Sequence, residues 1–83
     1  MLTLNYDSKF DIVYISISDA SASLGEEPIS GLVVLRDFTT EDITGITIFD
    51  FCKKYKNNTL PSMPIEINLE KIYNEISNPS LLV

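Results

Sequence analysis

The sequence predicts an α+β fold: a four-stranded antiparallel β-meander with a C-terminal α-helix packed on one face. Three observations predict it. Residues 11–18 read D-I-V-Y-I-S-I-S, which puts Val13, Ile15 and Ile17 on one side of an extended strand and Tyr14, Ser16 and Ser18 on the other. A period of two in β-branched and aromatic residues is the mark of a half-buried strand. Further runs of the same kind are separated by short links, and consecutive strands with short links pair most simply as a meander. Leu69, Ile72, Tyr73 and Ile76 then fall at i, i+3, i+4 and i+7, the spacing of one apolar helix face.

Taken in order, Leu2, Leu4 and Tyr6 alternate with Thr3 and Asn5 and predict a strand over 2–6. Residues 7–10 have the composition of a hairpin turn, and the second strand runs over 12–18. The stretch 19–25 is small and polar and predicts a loop. Residues 26–30 can be extended, but Pro28 lacks the donor an interior ladder position needs, which confines them to an edge or a bulge. Gly31 opens a strand over 32–36 whose Leu32, Val33, Val34 and Leu35 are apolar on both faces, so both faces need cover.

Residues 38–42 form the next turn, and a strand over 43–50 follows. Ile46 and Ile48 lie on one of its faces, with Gly45, Thr47, Phe49 and Phe51 on the other. Gly45 marks a bulge or a close backbone approach. The stretch after Cys52 is irregular, with Asn57, Asn58, Thr59, Pro61 and Pro64. The helix spans 69–77: Asn68 is its N-cap, Glu70 complements its dipole, and Pro79 stops it.

Eighty-three residues, 45% of them hydrophobic, make one globular domain over 1–83, since a second core would not fit. Twelve acidic residues against six basic ones give a net charge of −6. That balance opposes direct nucleic-acid binding, which depends on Lys and Arg displacing counterions, and favours steering toward a basic protein. The lone Cys52 rules out an internal disulfide. No charged region precedes an apolar run of signal-peptide length, and no run approaches the roughly 20 residues that span a bilayer. A cytoplasmic location, away from membranes, is the expectation.

The chemistry available is narrow. Histidine is absent, which excludes Ser–His and Cys–His nucleophiles and leaves too few ligands for zinc. Cys52 beside Lys53 and Lys54 is either a thiol with a lowered pKa or, more simply, a small packing residue. Three scattered glycines build no phosphate cradle. Carboxylates remain: Asp7 and Asp11 flank the first turn, and Asp37, Glu41 and Asp42 crowd the third. They suit either weak Mg²⁺ or Ca²⁺ binding or the capping of turn N–H groups, and capping is favoured. Asp50 points inward by period two and is expected to accept N–H groups from residues 51–54. No catalytic, metal or cofactor-binding residue is assigned, no cofactor is implied, and the chain is not expected to be an enzyme.

Tyr6-Asp7, Asp11, Y-I-S-I-S over 14–18, Glu26, Gly31 and G-I-T-I-F-D over 45–50 together resemble the prokaryotic domain-of-unknown-function family 2283. Ser8 stands where that family usually has proline. The resemblance covers about three-fifths of the chain and implies a small sheet-containing fold with no established catalytic residues to transfer. Members are often encoded beside small toxin-like proteins, so it also implies an antitoxin-like role by association. The leading expectation is therefore a small acidic protein-interaction module, antitoxin-like, that binds a basic protein. One alternative is an inhibitor of the virus-encoded type, presenting an acidic surface to a nucleic-acid-binding protein. Another is a weak metal-dependent enzyme using loop carboxylates.

Self-association as a homodimer is also expected. Val13, Ile15, Ile17, Ile46 and Ile48 define one sheet face, while Tyr14, Val33 or Val34, Phe49 and Phe51 load the other. One helix covers one face. Residues 57–63 folding back, or the tail Leu81, Leu82 and Val83, are the other covers open to the second face.

Overall fold

Backbone pairing closes the sheet in an order that the sequence pattern alone does not give. A computed structural model of the chain describes residues 3–18 and 23–77. It contains β1 (Thr3–Asp7), β2 (Ile12–Ser16), β3 (Ser23–Ile29), β4 (Leu32–Asp37), β5 (Ile43–Phe49), α1 (Phe51–Lys56) and α2 (Leu69–Ser77). The class is α+β with an antiparallel sheet, as predicted. The sheet has five strands instead of four and there are two helices instead of one. Leu2, residues 19–22, Pro79 and the tail Leu81, Leu82 and Val83 lie outside the described residues, as do the expectations placed on them.

The strand order is β1-β2-β5-β4-β3, so the expected meander is corrected. β2 pairs with β5, not with β4: Val13 lies opposite Ile48 and Ile15 opposite Ile46. After β2 the chain passes to the far edge and returns through β3, β4 and β5. The cause lies in β3, where Pro28 can sit because an edge strand leaves one side of its backbone unpaired. The β3–β4 register shifts between Glu26 and Ile29, so the proline is accommodated at both an edge and a bulge. A second shift, between Leu35 and Arg36, lets Thr44 turn into the interior at 6% exposure. There its hydroxyl meets Ser23 Oγ at 2.9 Å and donates to the Leu35 carbonyl at 3.3 Å.

One sheet face carries the core. Val13, Ile15, Leu32, Val34, Ile46 and Ile48 are all buried on it, together with Phe51 from α1 and Ile72 from α2. Phe51 corrects the expectation that it continues β5 on the opposite face. Asp50 adopts a left-handed conformation (φ 54°), which breaks the period of two and turns Phe51 under the sheet. Phe51 is 0% exposed there. Val34 likewise belongs to this face, leaving Val33 on the other.

The α2 boundaries match the predicted ones, and Asn68 caps the helix by accepting the Lys71 N–H at 3.0 Å. The stretch before α2 also covers the core face. Leu60, Met63, Ile65, Ile67 and Leu69 pack against the core, with exposed residues between Met63 and Leu69 in strand-like alternation. Residues 57–63 therefore do not fold over the second face. That face bears no other element among the described residues.

Candidate functional site

The turn between β4 and β5 is an acidic loop closed by its own hydrogen bonds. Asp37 Oδ1 accepts the N–H groups of Thr39 at 2.8 Å and Thr40 at 2.9 Å. The Glu41 N–H reaches the Asp37 carbonyl at 2.9 Å, and the Asp37 N–H reaches the Asp42 carbonyl at 2.8 Å. Asp42 N–H donates to Thr40 Oγ1, and the Arg36 guanidinium donates to the Glu41 carbonyl. Glu41 takes positive φ (66°) to close the turn. On this frame Phe38 stands 68% exposed, in a loop that also carries Asp37, Glu41 and Asp42.

The Thr40 and Thr39 N–H groups hold the Asp37 carboxyl below the usual carboxylate range. The sequence-level capping role is thus realised at Asp37, and one of its oxygens is occupied by the loop itself. Asp37→Ala frees two backbone donors and is expected to lower the thermal midpoint at neutral pH. Because the folded value is depressed, this contribution is present above the unfolded carboxyl value and fades as pH falls through the folded one. Melting wild type and variant across the acid range checks it: the two curves should converge toward low pH.

The turn between β1 and β2 repeats the device with a different outcome. Asp7 Oδ1 accepts the N–H groups of Lys9 (2.9 Å) and Phe10 (3.3 Å), and Asp11 closes the turn at φ 56°. The Asp11 side chain, however, reaches across to α1. Its Oδ1 accepts the Tyr6 hydroxyl at 2.8 Å and the Cys52 N–H at 3.0 Å, while Oδ2 accepts the Lys53 N–H at 3.2 Å. Its carbonyl accepts the Phe51 N–H. Asp11 therefore does the capping expected of Asp50. Asp50 is exposed, its side chain makes no capping bond, and only its carbonyl engages the helix, through the Lys54 N–H.

This joint sets the local electrostatics. Desolvation pushes the Asp11 carboxyl up, but the Cys52 N–H, the Tyr6 hydroxyl and the Lys53 N–H together hold it below its ordinary value. Burial, and then the hydrogen bonds to Cys52 and Asp11, push the Tyr6 hydroxyl up. Burial also raises the Cys52 thiol, and the Asp11 charge adds to that against the opposing Tyr6 hydrogen bond. Cys52 is therefore held as a thiol, packed against the core and 3.6 Å from the Tyr6 oxygen. The neighbouring lysines do not activate it.

Asp7 and Asp11, adjacent to one turn in sequence, thus serve two different backbones, and neither set of loop carboxylates converges. Among the described residues no three His, Cys, Asp or Glu side chains group as a cation site. A groove of about 390 Å³ lies between β1 and α2, lined by Leu4, Ile67, Ile72, Lys71, Glu66 and Glu75. Among the described residues no helix is long and apolar enough to cross a membrane. Sequence reasoning passed over Phe38, although an aromatic residue inside a D-F-T-T-E-D turn is the signal that finds it. No protein-family model, curated protein or solved structure matches the chain.

Proposed function

We propose that the chain is a small protein-interaction module, antitoxin-like, that binds a basic protein through the β4–β5 loop. The observation that carries this reading is the exposed Phe38 in a hydrogen-bonded loop that also carries Asp37, Glu41 and Asp42. An aromatic anchor contributes contact area, and surrounding carboxylates steer a basic partner and fix its orientation. A loop already ordered by its own bonds loses less conformational freedom on binding than a mobile one. The net charge of −6 adds long-range attraction of the same sign, and the resemblance to family 2283 points the same way. Direct binding to nucleic acid is not part of the function.

Capture experiments from an extract of the source cells test it. At low salt the protein should retain a basic protein, and retention should weaken as salt rises, because exposed charges are screened. Phe38→Ala and the double variant Glu41→Gln/Asp42→Asn should each reduce retention by about tenfold or more. Retention indifferent to both salt and these substitutions, or recovery of duplex DNA by the isolated protein, contradicts the proposal.

A further inference from the structure

The two edges of the sheet are not alike. At one edge β3 is guarded by Pro28 and by the register shift between Glu26 and Ile29. The Glu27 carboxylate is turned in there as well, accepting the Gly31 N–H at 3.0 Å. At the other edge β1 reads T-L-N-Y-D and pairs with β2 in unbroken register, with neither proline nor bulge. Such an edge is an open template for another strand.

The direction of the β1 backbone follows from β2. The Ile17 N–H donates to the Thr44 carbonyl at 2.8 Å, and the Asp11 carbonyl accepts the Phe51 N–H at 3.0 Å, both on the β5 side. Alternation along an antiparallel strand sets Val13 and Ile15 with them and turns Tyr14 and Ser16 toward β1. Tyr14 and Ser16 lie opposite Asn5 and Thr3. Leu4 and Tyr6 therefore aim their backbone N–H and C=O groups off the open side, where no described residue meets them.

The Leu4 side chain turns to the core face and forms one wall of the groove of about 390 Å³, with Ile67 and Ile72 as other walls. Glu66 and Glu75 line the same groove, against one cation, Lys71. Among the described residues neither carboxylate forms an ion pair. Unmet backbone groups, an apolar wall and uncommitted carboxylates thus lie side by side.

We infer that the β1 edge and this groove together dock an extended segment of a basic protein, which adds to the sheet as a further strand. Leu4 and Tyr6 exchange ladder bonds with it. A residue opposite Leu4 shares its face, so an apolar side chain there enters the groove against Leu4, Ile67 and Ile72. Basic residues two positions to either side fall on that face too and reach Glu66 and Glu75. A segment of arginine alone lacks the apolar anchor. A second copy does not fit, because its own open edge would bring Asp7 and another pair of groove carboxylates to the same place. The site stands apart from the β4–β5 loop and does not rest on it.

Amide hydrogen exchange of the full chain, followed by NMR with the capped peptide Thr-Lys-Thr-Ile-Thr-Lys-Thr, tests this. In the free protein the Leu4 and Tyr6 N–H groups should exchange fast, and that of Asn5, bonded to β2, slowly. Saturating peptide should slow Leu4 and Tyr6 about tenfold or more. The same peptide with threonine for isoleucine should bind about tenfold more weakly. Glu66→Gln/Glu75→Gln, its fold checked by circular dichroism, should weaken binding about fivefold. N-methylation of the isoleucine and lysines removes the ladder donors and should abolish protection. Leu4 and Tyr6 amides already slow in the free protein overturn the inference: another part of this chain covers the edge, or a second copy does if the slowing grows with protein concentration. So does peptide at about 1 mM that leaves them fast, or an N-methylated peptide that protects them equally.

Discussion

Phe51→Ala is expected to remove about 3–5 kcal/mol, the usual range for emptying a buried phenylalanine site. The ring is 0% exposed, stands among Val13, Ile15, Ile46 and Ile48 in the core, and stacks on Tyr55, whose own ring stacks on Tyr73 of α2. One truncation therefore loosens both helices from the sheet. A domain of this size holds about 4–12 kcal/mol in all, so the variant should be largely unfolded or close to it. Phe38→Ala, at a 68% exposed ring, should stay within about 0.5 kcal/mol of wild type. Urea denaturation of the pair measures the contrast. A small loss at Phe51 would return it to the outer face, where a strand continued past Phe49 would have put it.

Asp11→Ala should be the costliest polar substitution, at about 3 kcal/mol, because it strips a carboxylate from two backbone N–H groups and a hydroxyl. The loss carries a pH signature. The folded carboxyl sits below its unfolded value, so the unfolded chain takes up the proton first. The stabilisation is present above about pH 4 and disappears as pH falls through the folded value. Thermal midpoints of wild type should therefore drop in acid more steeply than those of Asp11→Ala. Tyr6 acts in the opposite sense: its hydroxyl is raised in the fold, so its contribution is full below the unfolded value and lost as pH rises. Equal acid slopes for the two proteins would mean that Asp11 does not hold α1.

The elements that could be read from the sequence are those whose signal is local. The alternation of Val13 and Ile15, the Asn68 cap and the apolar stripe on α2 depend only on neighbours in the chain, and each stands where its pattern puts it. Gly45 also announced itself, since a Cβ there would come within 3.0 Å of the Ile15 carbonyl oxygen. What the pattern did not contain was partner choice. Ile15 suits Val34 as well as Ile46, and only the placement of a proline-bearing edge strand beyond β4 leaves β5 to pair with β2.

Phe51 was misplaced because a single positive φ at Asp50 resets the period, and aspartate gives weaker notice of that than glycine. The covering stretch before α2 was hidden by Pro61 and Pro64, although Met63, Ile65 and Ile67 alternate as a strand would. At the site, composition exposed the carboxylates but not their duties. Asp7 and Asp37 bond within their own turns, whereas Asp11 joins residues 41 and 42 positions away.

The claim on which the functional account rests is that the β4–β5 loop is the surface that meets a basic partner. Backbone amide resonances of the isotope-labelled protein, titrated with an arginine-rich peptide at low salt, read that surface residue by residue. The account predicts shifts concentrated on residues 37–42, with Phe38 among the largest, that collapse as salt is raised. Shifts that spare this loop and gather elsewhere, or none at any peptide concentration, would contradict it.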